Sequence, residues 1–127
     1  MEFIVEPERK VKICDEADVC VVGGSCTGVF AAVRAARLGA KVALIEKQNC
    51  LGGTATNGLI NIWHSLYDTD GKNQIIAGLT LETLERLKKA GAVWRGESIT
   101  GAYHFNSQEL KIELDNYIRE NKIRLYL

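Results

Sequence analysis

One short stretch limits the folds open to this 127-residue chain more than any other. The apolar, β-branched run Asp18-Val19-Cys20-Val21-Val22 stops at Gly23-Gly24, and a helical pattern begins at Gly28. Such a run, closed by glycine, reads as a strand buried on both faces and ended by a turn. From Gly28 to Leu38 the residues Val29, Ala32, Val33 and Ala36 recur at three- and four-residue spacing, with Arg34 and Arg37 on the other side. Gly39 supplies a left-handed stop. Alanines at 31, 32, 35 and 36 let this helix lie close to a sheet, and Lys41 to Glu46 restarts the strand pattern. Strand, helix and strand within about thirty residues imply a right-handed crossover and parallel pairing. The expected fold class is α/β, a Rossmann-like βαβ unit on a parallel sheet.

The turn Gly23-Gly24-Ser25-Cys26-Thr27-Gly28 therefore lies where glycines have a mechanical role, after a strand and before a helix. The first glycine permits the sharp exit from the strand, and the last lets helix and strand approach closely. The helix start then aims unpaired N–H groups and about half a positive charge at a pyrophosphate. Ser25 stands where the dinucleotide fingerprint has its second glycine; it is small and its hydroxyl can donate to a phosphate oxygen, so the departure weakens binding without abolishing it. Glu46 ends the second strand eighteen residues after Gly28, the place from which a carboxylate accepts hydrogen bonds from ribose hydroxyls. That disfavours a 2′-phosphate, a conflict that Lys47 softens. The plainer alternatives are a ligand-free turn and a solvated strand-end carboxylate. FAD and NAD share every feature named so far.

Further along, Gly52-Gly53-Thr54 opens a second glycine-rich stretch that runs to Gly58. Consecutive glycines expose backbone N–H groups with no Cβ in the way, so they can line a diphosphate or ribityl chain. Leu59 to Leu66 is undecided between helix and strand, and Asp70-Gly71 marks a tight turn. Ile76 to Ala90 reads as a helix with Leu81, Leu84 and Leu87 on one side, four-apart pairs Glu82–Arg86 and Glu85–Lys89, and Gly91 as its close. Val93 to Phe105 suits a short strand pair or flap. Asn106 and Glu109 resemble a capping box that opens a helix through Ile118, Asn121 ends it, and Ile123 to Leu127 reads as a third parallel strand.

Sixteen Lys and Arg balance sixteen Asp and Glu, so the chain lacks the positive field of a bulk nucleic-acid or membrane-surface binder. Glu2, Glu6, Pro7 and Glu8 occupy the region where an export signal needs a basic start and an apolar run, and no charge-free stretch reaches the about 20 apolar residues of a membrane span. These features point to a cytoplasmic protein. Cys14, Cys20, Cys26 and Cys50 include no Cys-x-x-Cys pair and read as reduced thiols, with no metal site. Asp68-x-Asp70 begins like a calcium loop but fails at Lys72 and Asn73. Cys26 at a helix start is placed where a thiolate is favoured; the plainer reading is a small loop residue.

The run from Asp18 to Gly58, with VCVVGGSCTGVFAAVRAARLGAKVALIEKQNCLGGTATNG within it, resembles the N-terminal FAD-binding region of FAD-dependent oxidoreductases of the glutathione-reductase-like two-dinucleotide-binding class. The match implies Gly23, Ser25, Cys26, Thr27 and Gly28 at the pyrophosphate, with Gly24 in the same turn, Glu46 and Lys47 at the adenosine, and Gly52, Gly53 and Thr54 along the ribityl-to-flavin end. It also implies FAD rather than NAD. Related families attach flavin through a histidine just before the small-residue run; none stands between Cys50 and Gly58, so non-covalent FAD is expected, with His64 a packing or turn residue.

The resemblance implies flavin-mediated hydride or electron transfer in a larger parent protein. Residues 1–17 are then a leader and 18–127 the N-terminal portion of an incomplete FAD-binding domain, without its substrate domain. No catalytic residue, substrate or electron acceptor can be named. The alternative is a non-catalytic FAD- or NAD-binding module, inactive as an isolated fragment. A third strand at the chain's end leaves an open sheet edge, from which a homo-oligomer or swapped dimer is expected.

Overall fold

The computed structural model describes residues 2–96 and 101–127. Strand β1 (Val19–Val22), helix α1 (Cys26–Arg37) and strand β2 (Val42–Ile45) form the expected βαβ unit, with Val19 opposite Val42 and Val22 opposite Ile45 in parallel register. After a single 3-10 turn at Gly53–Ala55 come β3 (Ile62–Trp63), α2 (Leu79–Lys89), β4 (Val93–Arg95), β5 (Tyr103–Phe105), α3 (Ser107–Glu120) and β6 (Arg124–Tyr126). The main sheet is parallel, in the order β1-β2-β6, and a small antiparallel sheet runs β3-β5-β4. The α/β, Rossmann-like expectation holds.

Helix α1 starts two residues earlier than its apolar period implies, because Ser25 caps it: the Ser25 carbonyl accepts from Val29 N at 2.9 Å, and its hydroxyl accepts from Gly28 N at 3.4 Å. Asn106 caps α3, accepting from Gln108 N at 2.8 Å and Glu109 N at 3.3 Å. The reciprocal half of the expected capping box is replaced: Asn106 N donates to Ala92 O at 2.8 Å, which ties α3 to the end of α2. Helix α2 is shorter than its expected span and begins after Gly78 at φ +64°. The Asp70-Gly71 turn forms, with Gly71 N donating to Asp68 O at 3.0 Å and the Asp68 carboxylate accepting from Lys72 N and the Asn73 side chain rather than facing a cation. Val93 to Phe105 contributes the β4–β5 pair, and its residues 97–100 lie outside the described ones.

The core lies on one face of the parallel sheet. Val29, Ala32 and Val33 from α1 meet Leu110, Leu114, Tyr117 and Ile118 from α3, with Val42 and Leu44 below and Phe105 and Leu87 at the side. Arg37 holds Glu82 with two bonds at 2.7 and 2.8 Å, and Arg86 bridges Glu82 at 3.1 Å and Glu120 at 2.7 Å, so ionic contacts lock α1, α2 and α3 around Tyr117. Of the two four-apart pairs expected in α2, Glu82–Arg86 closes within 4 Å.

The expectation of a first strand buried on both faces is corrected. β1 is an edge of the sheet, Val22 is 81% exposed, and Cys20 and Val19 are exposed as well. The reason is that α1 packs on β1 and β2 from one face, where α3 in turn packs on α1. A short strap from the leader touches the other face: Asp15 accepts from Tyr126 Oη at 2.6 Å and pairs with Arg124, whose guanidinium also donates to Glu16 O at 2.6 Å.

Candidate functional site

The site begins at the mouth of the βαβ crossover. Gly23 leaves β1 at φ +104°, a value that side-chain-bearing residues rarely adopt, and donates its N–H to Ile45 O at 2.7 Å. Gly28, inside the first turn of α1, has ordinary helical backbone but no room: a Cβ there would lie 1.8 Å from Gly23 O. The six-residue turn is therefore held by two different glycine requirements, one conformational and one steric.

The second glycine turn lies beside the first. Gly52 N donates to Gly24 O at 2.8 Å, Ser25 and Gly52 pair as a parallel bridge, and a Cβ on Gly53 would come within 3.3 Å of Ser25 Cβ. Gly52 itself sits at φ +102°, with Thr56 Cγ2 2.3 Å from where its Cβ would be. Thr56 is fully buried and donates Oγ1–H to Leu51 O at 2.6 Å, while Ser107 Oγ, at the start of α3, donates to Ala55 O at 2.8 Å. These two hydroxyls, which sequence reasoning missed, staple the second turn onto the core. A buried threonine two residues before a glycine is a signal only after the fold is known.

Glu46 emerges from β2 beneath the first turn. Its carboxylate accepts from Gly24 N at 2.5 Å and from Gln48 N at 2.9 Å. The backbone N–H of Gln48, then that of Gly24, hold this carboxyl below the usual range, and the neighbouring Lys47 charge adds to the effect. Lys47 is exposed.

The structure thus brings all eleven sequence-selected residues to one end of the parallel sheet, with unequal chemistry. The N–H groups of Gly23, Gly24 and Gly52 are engaged within the protein. Cys26 and Thr27 open α1, where N–H groups have no intrahelical acceptor. No acidic residue lies in that first turn to neutralise the helix end. Ser25, Thr27 and Thr54 are exposed, and a Cβ on Gly23 would meet nothing within 4 Å. An open, uncancelled helix start beside a second glycine turn, with a carboxylate at one end, suits a group carrying both phosphates and ribose.

Cys26 is the first residue of α1 rather than a loop residue. Its thiol is directed at Gly52 O, 3.6 Å away, and burial pushes it up to about 11, overriding the helix start. Cys50 donates to Asn57 Oδ1 at 2.7 Å. All four cysteines are free, and among the described residues no cluster of His, Cys, Asp and Glu could hold a metal ion. No helix among the described residues is long and apolar enough to cross a membrane.

Comparison with known proteins gives the family and the fold. The family described as FAD dependent oxidoreductase matches residues 18–127. The mitochondrial dihydrolipoyl dehydrogenase of Schizosaccharomyces pombe is 32% identical over 110 residues, 77% of this chain and 21% of that protein. The mitochondrial dihydrolipoyl dehydrogenase of Sus scrofa is 32% identical over 116 residues, covering 80% and 22% respectively. The chain thus spans about a fifth of the length of these relatives. Among solved structures, THI4 of Thermovibrio ammonificans superposes with a TM-score of 0.54 at 21% identity, over 87% of this chain and 38% of that one, a likeness of fold.

Proposed function

This chain belongs to the FAD-dependent oxidoreductase family, and from that premise we propose that residues 18–127 are the N-terminal portion of a domain that binds FAD without a covalent link and serves flavin-mediated hydride or electron transfer. The observation that carries the reading is the contact between the two glycine turns, Gly52 N on Gly24 O at 2.8 Å, at the positive end of α1, whose first turn holds no acidic residue. In this reading the N–H groups of Ser25, Cys26 and Thr27 bind the pyrophosphate, with Ser25 Oγ and Thr27 Oγ1 as further donors. Glu46, already held as a carboxylate by Gln48 and Gly24, accepts from the adenosine ribose, and Lys47 flanks it. Gly53 and Thr54 line the ribityl chain.

When bound, the isoalloxazine supplies the electron and hydride chemistry; this chain orients it. Glu46 would orient the adenosine end, and the helix start would hold the diphosphate. The free thiols suit a reducing compartment such as the cytoplasm. The exposed β1 edge supports self-association, as a homo-oligomer or by exchange of elements. The test is a titration of FAD with the purified chain, followed by quenching of flavin fluorescence, with NAD as competitor. Saturable uptake of FAD that NAD does not displace supports the reading. Equal binding of NAD, or no uptake of FAD, refutes it.

A further inference from the structure

Beside the glycine turns lies a cavity of about 350 Å³ that the dinucleotide reading leaves unused. It is lined by Cys26, Thr27, Phe30, Ile62, Trp63, His64, Leu66, Ile76 and Thr80. Cys26 and Thr27 are the first residues of α1, so the cavity opens on the very turn proposed to bind the pyrophosphate. Glu46 touches the turn at Gly24, and the cavity begins two residues further on. The ribose-binding carboxylate and the cavity therefore lie at opposite ends of the turn.

The lining contains no Asp, Glu, Lys or Arg. Phe30 and Trp63 meet edge to face with ring centroids 6.5 Å apart, and Leu66 is fully buried behind them. The polar groups are few: the Cys26 thiol, directed away at Gly52 O, the hydroxyls of Thr27 and Thr80, and the exposed imidazole of His64. An apolar wall with a small number of convergent polar groups is the usual form of a small-molecule site. A dry apolar cavity of about 150 Å³ already accepts benzene. More than twice that space accommodates two fused rings. The neighbouring cavity along α1 differs in kind, since Arg34 and Arg37 line it. A carboxylate in the first cavity would have no lining cation to pair with.

We infer that the cavity walled by Phe30, Trp63, Leu66 and Ile76 is a small-molecule site beside the start of α1 and takes an uncharged ligand of two fused rings, held by a hydrogen bond from His64 or Thr80. Its place next to the cofactor's pyrophosphate rests on the proposed FAD binding; its occupancy does not.

The probe is 2-naphthol, with 2-naphthoate as its anionic counterpart, and binding to the full chain is read by saturation-transfer NMR with and without FAD. Ile76 is 42% exposed at the cavity wall, so Ile76→Trp fills the space without entering the core. His64→Leu removes a polar group and keeps the wall. The expected results are binding of 2-naphthol by the parent chain, at least tenfold weaker binding in Ile76→Trp, a several-fold loss in His64→Leu, no competition by 2-naphthoate, and no displacement by FAD. Absence of 2-naphthol binding, indifference to Ile76→Trp, or equal competition by 2-naphthoate overturns the inference. Displacement by FAD also overturns it, because the cavity would then belong to the cofactor. Failure of FAD to bind at all is scored separately by flavin fluorescence and strikes the flavin function, leaving the naphthol result to stand or fall alone.

Discussion

Replacing Gly28 by alanine separates two opposed effects whose sign the structure decides. Within a helix, alanine is favoured over glycine by about 0.8–1.0 kcal/mol, so the substitution should stabilise the chain if Gly28 were an ordinary helical residue. The observed geometry forbids that outcome, because the new Cβ would lie 1.8 Å from Gly23 O and 3.0 Å from Gly23 C. Both atoms are backbone, fixed by the Gly23 N bond to Ile45 O, so no rotamer relieves the contact. Forced overpacking costs about 1–3 kcal/mol, and moving a hydrogen-bonded backbone places this case at the upper end. The net expectation is a loss of about 2 kcal/mol. With a urea dependence of about 2 kcal/mol per molar, the unfolding midpoint should fall by about 1 M. Urea unfolding followed by circular dichroism measures it, with Ala31→Gly as the companion variant. Ala31 is exposed on the same helix, and there the propensity term acts alone, costing about 1 kcal/mol. A Gly28→Ala midpoint equal to or above that of the parent would refute the close strand–helix approach.

Four further outcomes follow from the same structure. Thr56→Val keeps the shape of the side chain but leaves Leu51 O without its buried donor, so stability should drop by about 1–3 kcal/mol and flavin affinity with it, whereas Thr56→Ser retains the bond; thermal melts of the two variants compare them. Asn106→Ala removes the acceptor for Gln108 N and Glu109 N and should cost about 1 kcal/mol by denaturant titration, with Asn106→Asp near neutral. Glu82 is depressed from 4.5 to about 2, first by hydrogen bonds from Arg37 and then by the charges of Arg37 and Arg86. Its contribution is thus complete above pH 4.5 and is lost as pH falls towards 2, so Glu82→Gln should flatten that part of a melting-temperature profile. Cys26, with its thiol raised to about 11 by burial, should react with iodoacetamide at pH 8 more slowly than the exposed Cys14 and Cys20, as peptide mass mapping would record.

Features set by neighbouring residues were legible in the sequence. The Gly23-to-Gly28 turn, the α1 period through Val29, Ala32 and Val33, the Asn106 cap and the parallel pairing of the three strands each depend on a few adjacent positions or on a fixed crossover rule. Burial of β1 was not legible, because the pattern Val-Cys-Val-Val is the same whether one or both faces are covered; only the packing of α1 and α3 on a single side distinguishes them. The capping box was half legible for a related reason, since Asn106 N was free to choose Ala92 O once α2 and α3 met. In the candidate site, the residues came from sequence and their mutual contacts did not. Ser107 Oγ reaches Ala55 O across 52 positions, and Gly24 N reaches Glu46 across 22, distances over which no local pattern carries information. The apolar cavity was invisible in the same way: His64 and Trp63 have neighbours from α1 that the sequence places more than thirty residues away.

The central claim is that the turns at Gly23 and Gly52 act on one FAD molecule. Amide chemical shifts of the isotopically labelled chain, followed during titration with FAD, test it most directly. The account predicts that Ser25, Cys26, Thr27, Gly53 and Thr54 shift together along one binding curve with a single Kd. Shifts confined to one turn, or two turns that saturate at different FAD concentrations, would contradict it.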